Sequence, residues 1–341
     1  MRMLKSIILL LLFILLAQFL IAQETNLSQF FNFSTSINPA FSGATNYSRV
    51  NVGFRNQWLA LNNGYNSSYV GVDHFIKSKN SGVGGFIKYD QAPSGYTNIQ
   101  AQLQFAHAVQ LTMKSAFRAG AQFGMVNNQF KTTDMVFGDQ LSNDGAQSTA
   151  TLENNVGWGG SKMYADLGIG LLYYSEKHWL GISGYHLNMP NVGFGSTTSR
   201  LPISISAHAG IRMYVGRERG IQREVRNTFS PAVLIRNSAN LFQFDFTGIY
   251  DFHPLLVGFG YRGIPILKYN KMQNDAIIFM AGYRTAQFII AYSYDLTISS
   301  LGISTLGAHE IGIVFEFGDR AGGTKKGNRV LYTPFPLLYS N

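Results

Sequence analysis

The chain lacks cysteine, has few charged residues and, after its N-terminal region, has no long apolar run. The absence of cysteine excludes disulfides, thiolate metal sites and the lipoprotein form of an export signal. Charged residues make up 13% of the chain, whereas soluble domains carry about 25%. No later segment approaches the about 20 apolar residues that a membrane helix needs. These absences argue against both a typical soluble protein and a helical membrane protein.

Aromatic residues (14%) and glycine (36 residues) are abundant instead, and apolar residues recur with a period of two. In residues 203–213, Ile, Ala and Met alternate with Ser, His, Gly and Arg. The same alternation recurs in 99–105, 117–125, 242–246 and 311–317. A strand of about ten residues with one apolar face and one polar or glycine face is typical of a membrane barrel. The pattern therefore predicts an all-β fold, a transmembrane antiparallel β-barrel.

Fourteen strands are predicted, an even number as in bacterial single-chain barrels. They lie at 49–60, 65–76, 82–91, 96–109, 114–130, 162–174, 178–187, 202–215, 228–237, 240–250, 254–262, 275–284, 286–295 and 309–318. If both ends are periplasmic, links after odd-numbered strands face outward. The longer links 131–161, 188–201, 263–274 and 296–308 all follow odd strands, as the barrel architecture predicts. The charged link 216–227 is the exception.

The ends of the chain divide from the barrel (49–318) by composition. Residues 1–22 have a basic start and a short apolar core, which is typical of a secretory signal cut before Gln23; the alternative is a membrane anchor. Residues 23–48 are polar and aromatic and are a candidate lumen segment. Residues 319–341 contain prolines that disfavour a further strand. We expect a periplasmic tail there, which either docks on a periplasmic partner or is a disordered end.

A search for enzyme motifs finds none, so we expect no enzyme, no cofactor and no metal site. His309-Glu310 lacks the second histidine of a zinc motif, and residues 181–184 do not match a nucleophile elbow. His208 and His309 are inward-facing candidates, but no serine is singled out as their partner. The net charge of +9 is scattered, so lipid headgroups or solvent explain it better than nucleic acid does.

Two further groups of residues are predicted to be structural. Carboxylates on polar faces are expected to pair with inward cations such as Arg118 and Arg212. These carboxylates are Asp73, Asp166, Asp245 and Glu316. Aromatic residues at strand ends are expected to form interfacial girdles, with sugar-stacking platforms as the alternative. These residues are Trp58, Tyr89, Tyr173, Tyr174, Trp179, Tyr185, Tyr250, Tyr261, Tyr283 and Tyr339.

Both ends of the predicted barrel carry motifs that resemble a known family. The motifs are Asn-Pro-Ala-Phe-Ser-Gly at 38–43, Val-Asn-Val-Gly-Phe-Arg-Asn-Gln-Trp at 50–58, Ala-Tyr-Ser-Tyr-Asp-Leu-Thr-Ile-Ser-Ser-Leu at 291–301 and Gly-Ala-His-Glu-Ile at 307–311. Together they resemble the PorP/SprF family of Bacteroidetes outer-membrane proteins, which is associated with type IX secretion and gliding motility. Phe54 departs from the tyrosine expected there but keeps the aromatic ring.

The resemblance implies a set of motif positions for barrel structure or for partner binding. These are Asn38, Pro39, Ala40, Gly43, Arg55, Gln57, Trp58, Tyr292, Tyr294, Asp295, Ser299, Leu301, His309 and Glu310. Arg55 and Gln57 share a face and are placed to hold an N-terminal segment in the lumen. Asp295 is expected to order the loop after it by accepting backbone hydrogen bonds.

The resemblance also implies partners: a periplasmic lipoprotein ring of the PorK/GldK and PorN/GldN type, and a large secreted adhesin bound through its C-terminal sorting domain. The chain is then an outer-membrane component for protein export or surface attachment. A different class of function stays open, namely a channel for small solutes or fatty acids. A hydrolase at the barrel rim is the third alternative.

Overall fold

The computed structural model describes most of the chain after the predicted signal. The described residues are 27–45, 48–60, 64–93, 95–112, 114–131, 141–142, 145–146, 160–195, 197–215, 227–238, 241–263, 274–285, 287–299 and 302–318. The predicted signal (1–22) and the predicted tail (319–341) lie outside the described residues.

Fourteen antiparallel strands form one closed sheet, which confirms the predicted barrel. Their bounds are β1 Ser48–Gln57, β2 Tyr65–Ile76, β3 Ser81–Gln91, β4 Tyr96–Thr112, β5 Ser115–Phe130, β6 Gly160–Ser175, β7 His178–Tyr185, β8 Ser204–Ile211, β9 Asn227–Ser238, β10 Leu241–Phe252, β11 Leu255–Gly263, β12 Asn274–Arg284, β13 Phe288–Thr297 and β14 Ala308–Phe317. The first and last strands close the barrel with an unbroken register from Ser48↔Phe317 to Gln57↔Ala308.

The predicted strand 202–215 is interrupted. Strand β8 ends at Ile211, and a short extra strand, Met213–Val215, continues the pairing with β9. Gly210 of β8 pairs with Ala232 of β9. Because the strands are antiparallel, the next position along β9 from this pair is Pro231. Because proline has no N–H to donate, the ladder is weakened where the strand breaks.

Burial alternates along the strands as a barrel in lipid requires. Leu103 on β4 is 70% exposed, whereas its neighbours Gln102 and Gln104 are 2% and 5% exposed. This pattern is the reverse of that of a soluble protein, because the apolar face is the outer one. Among the described residues, no helix has the length and apolarity that a membrane span requires.

The connections separate the two ends of the barrel. One end carries tight turns, such as Lys77–Lys79, a 3-10 helix between β2 and β3. The other end carries the longer links, including those after β5, β7 and β13. Two links after odd-numbered strands, those after β3 and β9, are also short, so the predicted asymmetry holds for most links rather than all. The end with tight turns is the periplasmic end in bacterial barrels.

Residues 27–45, which we call the plug segment, lie inside the barrel. They contain a one-turn helix, α1 (Ser34–Ile37), and a 3-10 helix (Pro39–Phe41). Every plug residue except Ser36 is buried. The segment begins near the end with long links, beside Glu310 and Asp295. It then crosses the lumen to Asp73 near the tight-turn end, where β1 begins.

Glycines of the wall make room for the plug segment. A Cβ on Gly82 would overlap the backbone of Ser42, and one on Gly120 would overlap the backbone of Ala40. A Cβ on Gly170 would overlap the Asn38 side chain. These positions therefore require glycine, because a Cβ would collide with the plug backbone at Gly82 and Gly120 and with a plug side chain at Gly170.

A methyl group at Gly82 should be costly because rigid backbone atoms would have to shift. We expect Gly82→Ala to lower the free energy of unfolding by about 1–3 kcal/mol, the usual cost of overpacking. The measurement is urea unfolding of the barrel folded into vesicles. Gly184→Ala is the matched control, because its Cβ would meet only a Leu187 methyl group, 3.4 Å away. Equal urea midpoints for the two variants would contradict the tight fit of the plug.

Candidate functional site

The start of the plug segment is held by a buried glutamate of the last strand. Glu310 on β14 accepts hydrogen bonds from the backbone amides of Ser28 (2.7 Å) and Gln29 (2.9 Å). The Gln29 side chain donates to the carbonyl oxygens of Ala291 and Glu310. One carboxylate therefore satisfies two backbone donors that would otherwise be buried without partners.

Ser28 also lies at the centre of a group of charged side chains, which we call the latch cluster. Its members are Ser28, Arg55, Asp245, Arg262, Asp295 and Glu310. They come from the plug segment and from strands β1, β10, β11, β13 and β14. Arg236 extends the group, with 3.9 Å between its guanidinium and a carboxylate oxygen of Asp245.

Two guanidinium groups enclose the Ser28 hydroxyl. Arg55 donates to Ser28 Oγ (2.7 Å), Asp295 (2.8 Å) and Glu310 (3.1 Å). Arg262 donates to Ser28 Oγ (3.0 Å), Asp295 (3.1 Å) and Asp245 (2.8 Å). Because the ion pairs are desolvated, removing one partner leaves an uncompensated buried charge. The cluster can thus hold a chain segment firmly.

The middle of the plug segment is fixed by Asn38, the first residue of the Asn-Pro-Ala motif. Its side-chain oxygen accepts from the Ala40 amide (2.9 Å) and caps the 3-10 helix. Its amide nitrogen lies within hydrogen-bond distance of the carbonyls of Leu171 (3.0 Å) and Ile182 (3.2 Å) and of His208 Nε2 (3.1 Å). Asn38 therefore joins the plug to strands β6, β7 and β8.

The end of the plug segment is bound by one cation and one anion of the wall. Arg118 on β5 donates to the carbonyl oxygens of Ala40 (2.9 Å) and Ser42. Asp73 on β2 accepts from the Gly43 amide (2.9 Å) and pairs with Arg49 (2.8 Å). Gly43 has a φ of +62°, a conformation that favours glycine. Its position in the motif follows from this backbone turn.

The other motif residues lie on the outer face or at the rim. The Tyr292 hydroxyl and His309 Nδ1 are 2.7 Å apart, and the Tyr294 ring lies 5.0 Å from the His309 ring. Trp58, just after β1, packs edge-on against Tyr65 at 5.3 Å. These side chains form an aromatic patch near the end with long links. They do not contact the plug segment in the described part of the chain.

The motif positions thus separate into two groups. The structure brings Asn38, Pro39, Ala40, Gly43, Arg55, Asp295 and Glu310 to the interface of plug and wall. Gln57 joins this group, because its Oε1 accepts from Arg55 (3.3 Å). The carbonyl oxygen of Ser299 accepts from the Gly302 amide in the link after β13. Leu301 lies outside the described residues.

Two finer expectations are wrong, one about the direction of a side chain and one about hydrogen-bond partners. His309 faces outward, because it shares the parity of Ile311 and Ile313 on β14. Asp295 accepts from Ser28, Arg55 and Arg262 rather than from the backbone of the loop after it.

The predicted charge pairs and girdle also need correction. Arg118 binds plug carbonyls instead of a carboxylate, while Asp73 pairs with Arg49, Asp166 with His186 and Asp245 with Arg262. Of the predicted girdle residues, Tyr174 and Trp179 are buried inside the barrel. Tyr185 donates inward to the Ser36 carbonyl (3.3 Å).

Sequence reasoning missed the residues that complete the interface. Ser28, Gln29 and Arg262 belong to the latch cluster or its edge, and Gln104 donates to the Thr35 carbonyl (2.8 Å). For Arg262 and Gln104 the available signal was a charged or amide side chain at a lumen-facing strand position, whereas Ser28 and Gln29 lie outside the strands and carried no such signal. Within the described ranges, no group of three or more His, Asp or Glu side chains is arranged to hold a metal ion.

Comparison with known proteins gives a family match and distant structural similarity. Residues 20–315 match the family model described as "Type IX secretion system membrane protein PorP/SprF". No curated protein matches the sequence.

Among solved structures, the chain is similar to the CymD monoaromatic hydrocarbon channel, with 12% identity, 88% of this chain and 96% of that chain covered and a TM-score of 0.48. It is also similar to Omp33 of Acinetobacter baumannii, with 8% identity, 81% and 100% covered and a TM-score of 0.43. The toluene transporter TbuX of Ralstonia pickettii shows 9% identity, 84% and 93% covered and a TM-score of 0.44.

Loss of the Glu310 carboxylate should release the start of the plug segment. Since the chain has no cysteine, Leu27→Cys is a single reporter, and Leu27 is 7% exposed. We expect this thiol to react slowly with a maleimide, and at least about ten-fold faster when Glu310→Ala removes the acceptor of two plug amides, since loss of a buried charged partner costs about 3–5 kcal/mol. Glu316→Ala on the same strand is the control. An unchanged rate in the Glu310 variant would exclude the latch.

The donor role of Asn38 gives a second test. Asn38→Asp replaces the amide that lies near two backbone carbonyls with a carboxylate oxygen, so attraction becomes repulsion. We expect it to lower the free energy of unfolding by more than Asn38→Ala, which leaves those groups unsatisfied at about 1–3 kcal/mol. The measurement is the urea midpoint of the barrel in vesicles. A larger loss for the alanine variant would contradict the assigned donors.

Proposed function

The chain belongs to the PorP/SprF family of type IX secretion system membrane proteins, and from this premise we propose a protein-binding role in that system. The barrel binds a periplasmic lipoprotein ring of the PorK/GldK and PorN/GldN type at its tight-turn end. It helps to export a large adhesin with a C-terminal sorting domain, or to attach that adhesin to the cell surface. Catalysis has no part in this role.

The filled lumen is the observation that carries this proposal. The plug segment is hydrogen-bonded to β2, β5, β6, β11 and β14, so its contacts reach several sides of the wall. A barrel with such an interior offers its rims and outer face for binding rather than a continuous path for solutes.

Channel function is the alternative, and a small cavity is the observation that favours it. The cavity of about 80 Å³ lies between the plug segment and strands β3–β9. Its lining includes Lys88, Gln100, Asp166, His186 and Arg236. A cavity of this volume holds several water molecules. Solute passage therefore requires the plug segment to leave.

Affinity purification of the tagged full chain tests the protein-binding role. From cells that make the secretion apparatus, we expect the ring lipoproteins, a large adhesin with a sorting domain, or both to be recovered. Tyr292→Ala and His309→Ala are expected to weaken recovery of the adhesin, because they alter the exposed aromatic patch without touching the plug. The same purification with an unrelated tagged outer-membrane barrel measures background binding. Recovery of neither partner contradicts the proposal.

Conductance separates the two functions. We expect the purified barrel in a planar bilayer to show little steady ion current, because the plug segment occupies the lumen. The variant Arg55→Ala with Glu310→Ala should show current bursts as the plug becomes mobile. Steady, large current through the unmodified barrel, together with solute uptake that is lost on deletion of the gene, would favour the channel instead.

A further inference from the structure

One half of the tight-turn end carries exposed cations on three neighbouring turns. Lys77 and Lys79 lie between β2 and β3, Lys114 lies between β4 and β5, and Lys177 lies between β6 and β7; all four are exposed. These turns are neighbours because β2 to β7 are consecutive strands in the sheet. Among them lies one carboxylate, Glu176.

Three outward-facing histidines lie beside these lysines, one of which is His178 at the start of β7. His74 on β2 and His107 on β4 are exposed. The Nδ1 atom of His74 lies 2.8 Å from the Ser48 hydroxyl, and that of His107 lies 3.0 Å from the Ser81 hydroxyl. The serines fix the orientation of each ring, so Nε2 is the second hydrogen-bonding atom of the ring on the exposed side.

Strands β2, β3 and β4 present apolar side chains next to the histidines. Val72 and Val83 are 53% and 38% exposed, and Phe105 and Val109 are 51% and 50% exposed. In a membrane barrel this outer apolar surface contacts acyl chains. The lysines and histidines therefore border the lipid-facing surface rather than the lumen.

The opposite half of this end differs in the part of the chain that the structure describes. The turn between β10 and β11 contains His253 and Pro254, and its flanking Asp251 pairs with Arg284 (2.5 Å). The described residues between β12 and β13 are Thr285 and Gln287. Among the described residues of this end, the lysines therefore lie on the half formed by β2–β7.

From this arrangement we infer that the β2–β7 half of the tight-turn end binds phospholipid headgroups, with Lys79, Lys114 and Lys177 each placed to bind the phosphate of a headgroup beside its own turn and with His74 and His107 as polar contacts at the edge of the acyl chains. Ammonium groups attract anionic headgroups at a membrane surface, and lysine binds phosphate as a point charge. The inference does not depend on the lipoprotein ring or the adhesin.

A lipid fits these observations better than an acidic protein does. A protein that docks on the periplasmic tip needs the lysines alone, whereas the site also includes two fixed histidines on the membrane-facing side. The exposed Val83 and Phe105 beside them match acyl chains. The charged lysines, the oriented histidine rings and the exposed apolar side chains together match a molecule that has both a phosphate and a hydrocarbon part.

Native mass spectrometry of the full chain in a neutral detergent tests the site, with dioleoylphosphatidylglycerol as the probe. We expect the variant Lys79→Gln with Lys114→Gln and Lys177→Gln to bind this lipid with at least about ten-fold lower affinity, since each lysine contributes about five-fold near an anionic surface. Resistance of the folded barrel to unfolding in dodecyl sulfate at room temperature verifies that each variant is folded.

The ends of β5 supply a matched pair of single variants. Lys114→Gln and Lys131→Gln remove the same charge just before and just after this strand, at opposite ends of the barrel. Only Lys114→Gln should lower the lipid affinity. Addition of His107→Gln to Lys114→Gln should lower the affinity further. Dioleoylglycerol, which lacks the phosphate, should bind weakly to every form.

Four results would overturn the inference. They are equal loss for Lys114→Gln and Lys131→Gln, unchanged affinity in the triple variant, equal binding of dioleoylglycerol, and displacement of the lipid by millimolar inorganic phosphate, which would indicate a free-phosphate site. Loss of a periplasmic protein partner with unchanged lipid affinity would assign the lysines to protein docking. Lipid loss with partners retained would support the site and leave the secretion role intact.

Discussion

Polar groups that point into a closed barrel must find hydrogen-bond partners inside it, and in this chain the plug segment supplies many of them. Isolated charges such as Arg118 or Glu310 would be costly in a dry interior. Each is instead bonded to plug backbone: Arg118 to carbonyl oxygens, Glu310 to amides. The wall and the plug are therefore two halves of one polar network, and the wall glycines keep the two halves close enough to bond.

The barrel itself could be predicted from local sequence because its determinant is local. Alternation in a strand such as 203–213 fixes which residues face lipid, and turn residues limit strand length. The break in the predicted strand 202–215, at Arg212, depends on the neighbouring strand β9 and its Pro231. It could not be predicted from the sequence of 202–215 alone. His309 shows the same limit at one residue: polarity favoured the lumen, but its parity with Ile311 places it outside.

The candidate site was only partly predictable, since its members come from distant parts of the chain. The motifs identified Asn38, Arg55, Asp295 and Glu310, yet their mutual contacts depend on strands brought together by closure. Ser28 has no motif signal at all, because its role comes from where the plug segment enters the lumen. A serine in a polar stretch is common, and geometry alone gives it a special role.

The latch cluster lies on both sides of the place where the barrel closes. Arg55 belongs to the first strand and Glu310 to the last, and both hold Ser28 of the segment that precedes the first strand. The first and last strands are thus joined by side-chain contacts through Ser28 in addition to their backbone hydrogen bonds. Withdrawal of the segment and separation of the terminal strands are therefore energetically coupled. A barrel built in this way protects its most vulnerable joint with its own N-terminal segment.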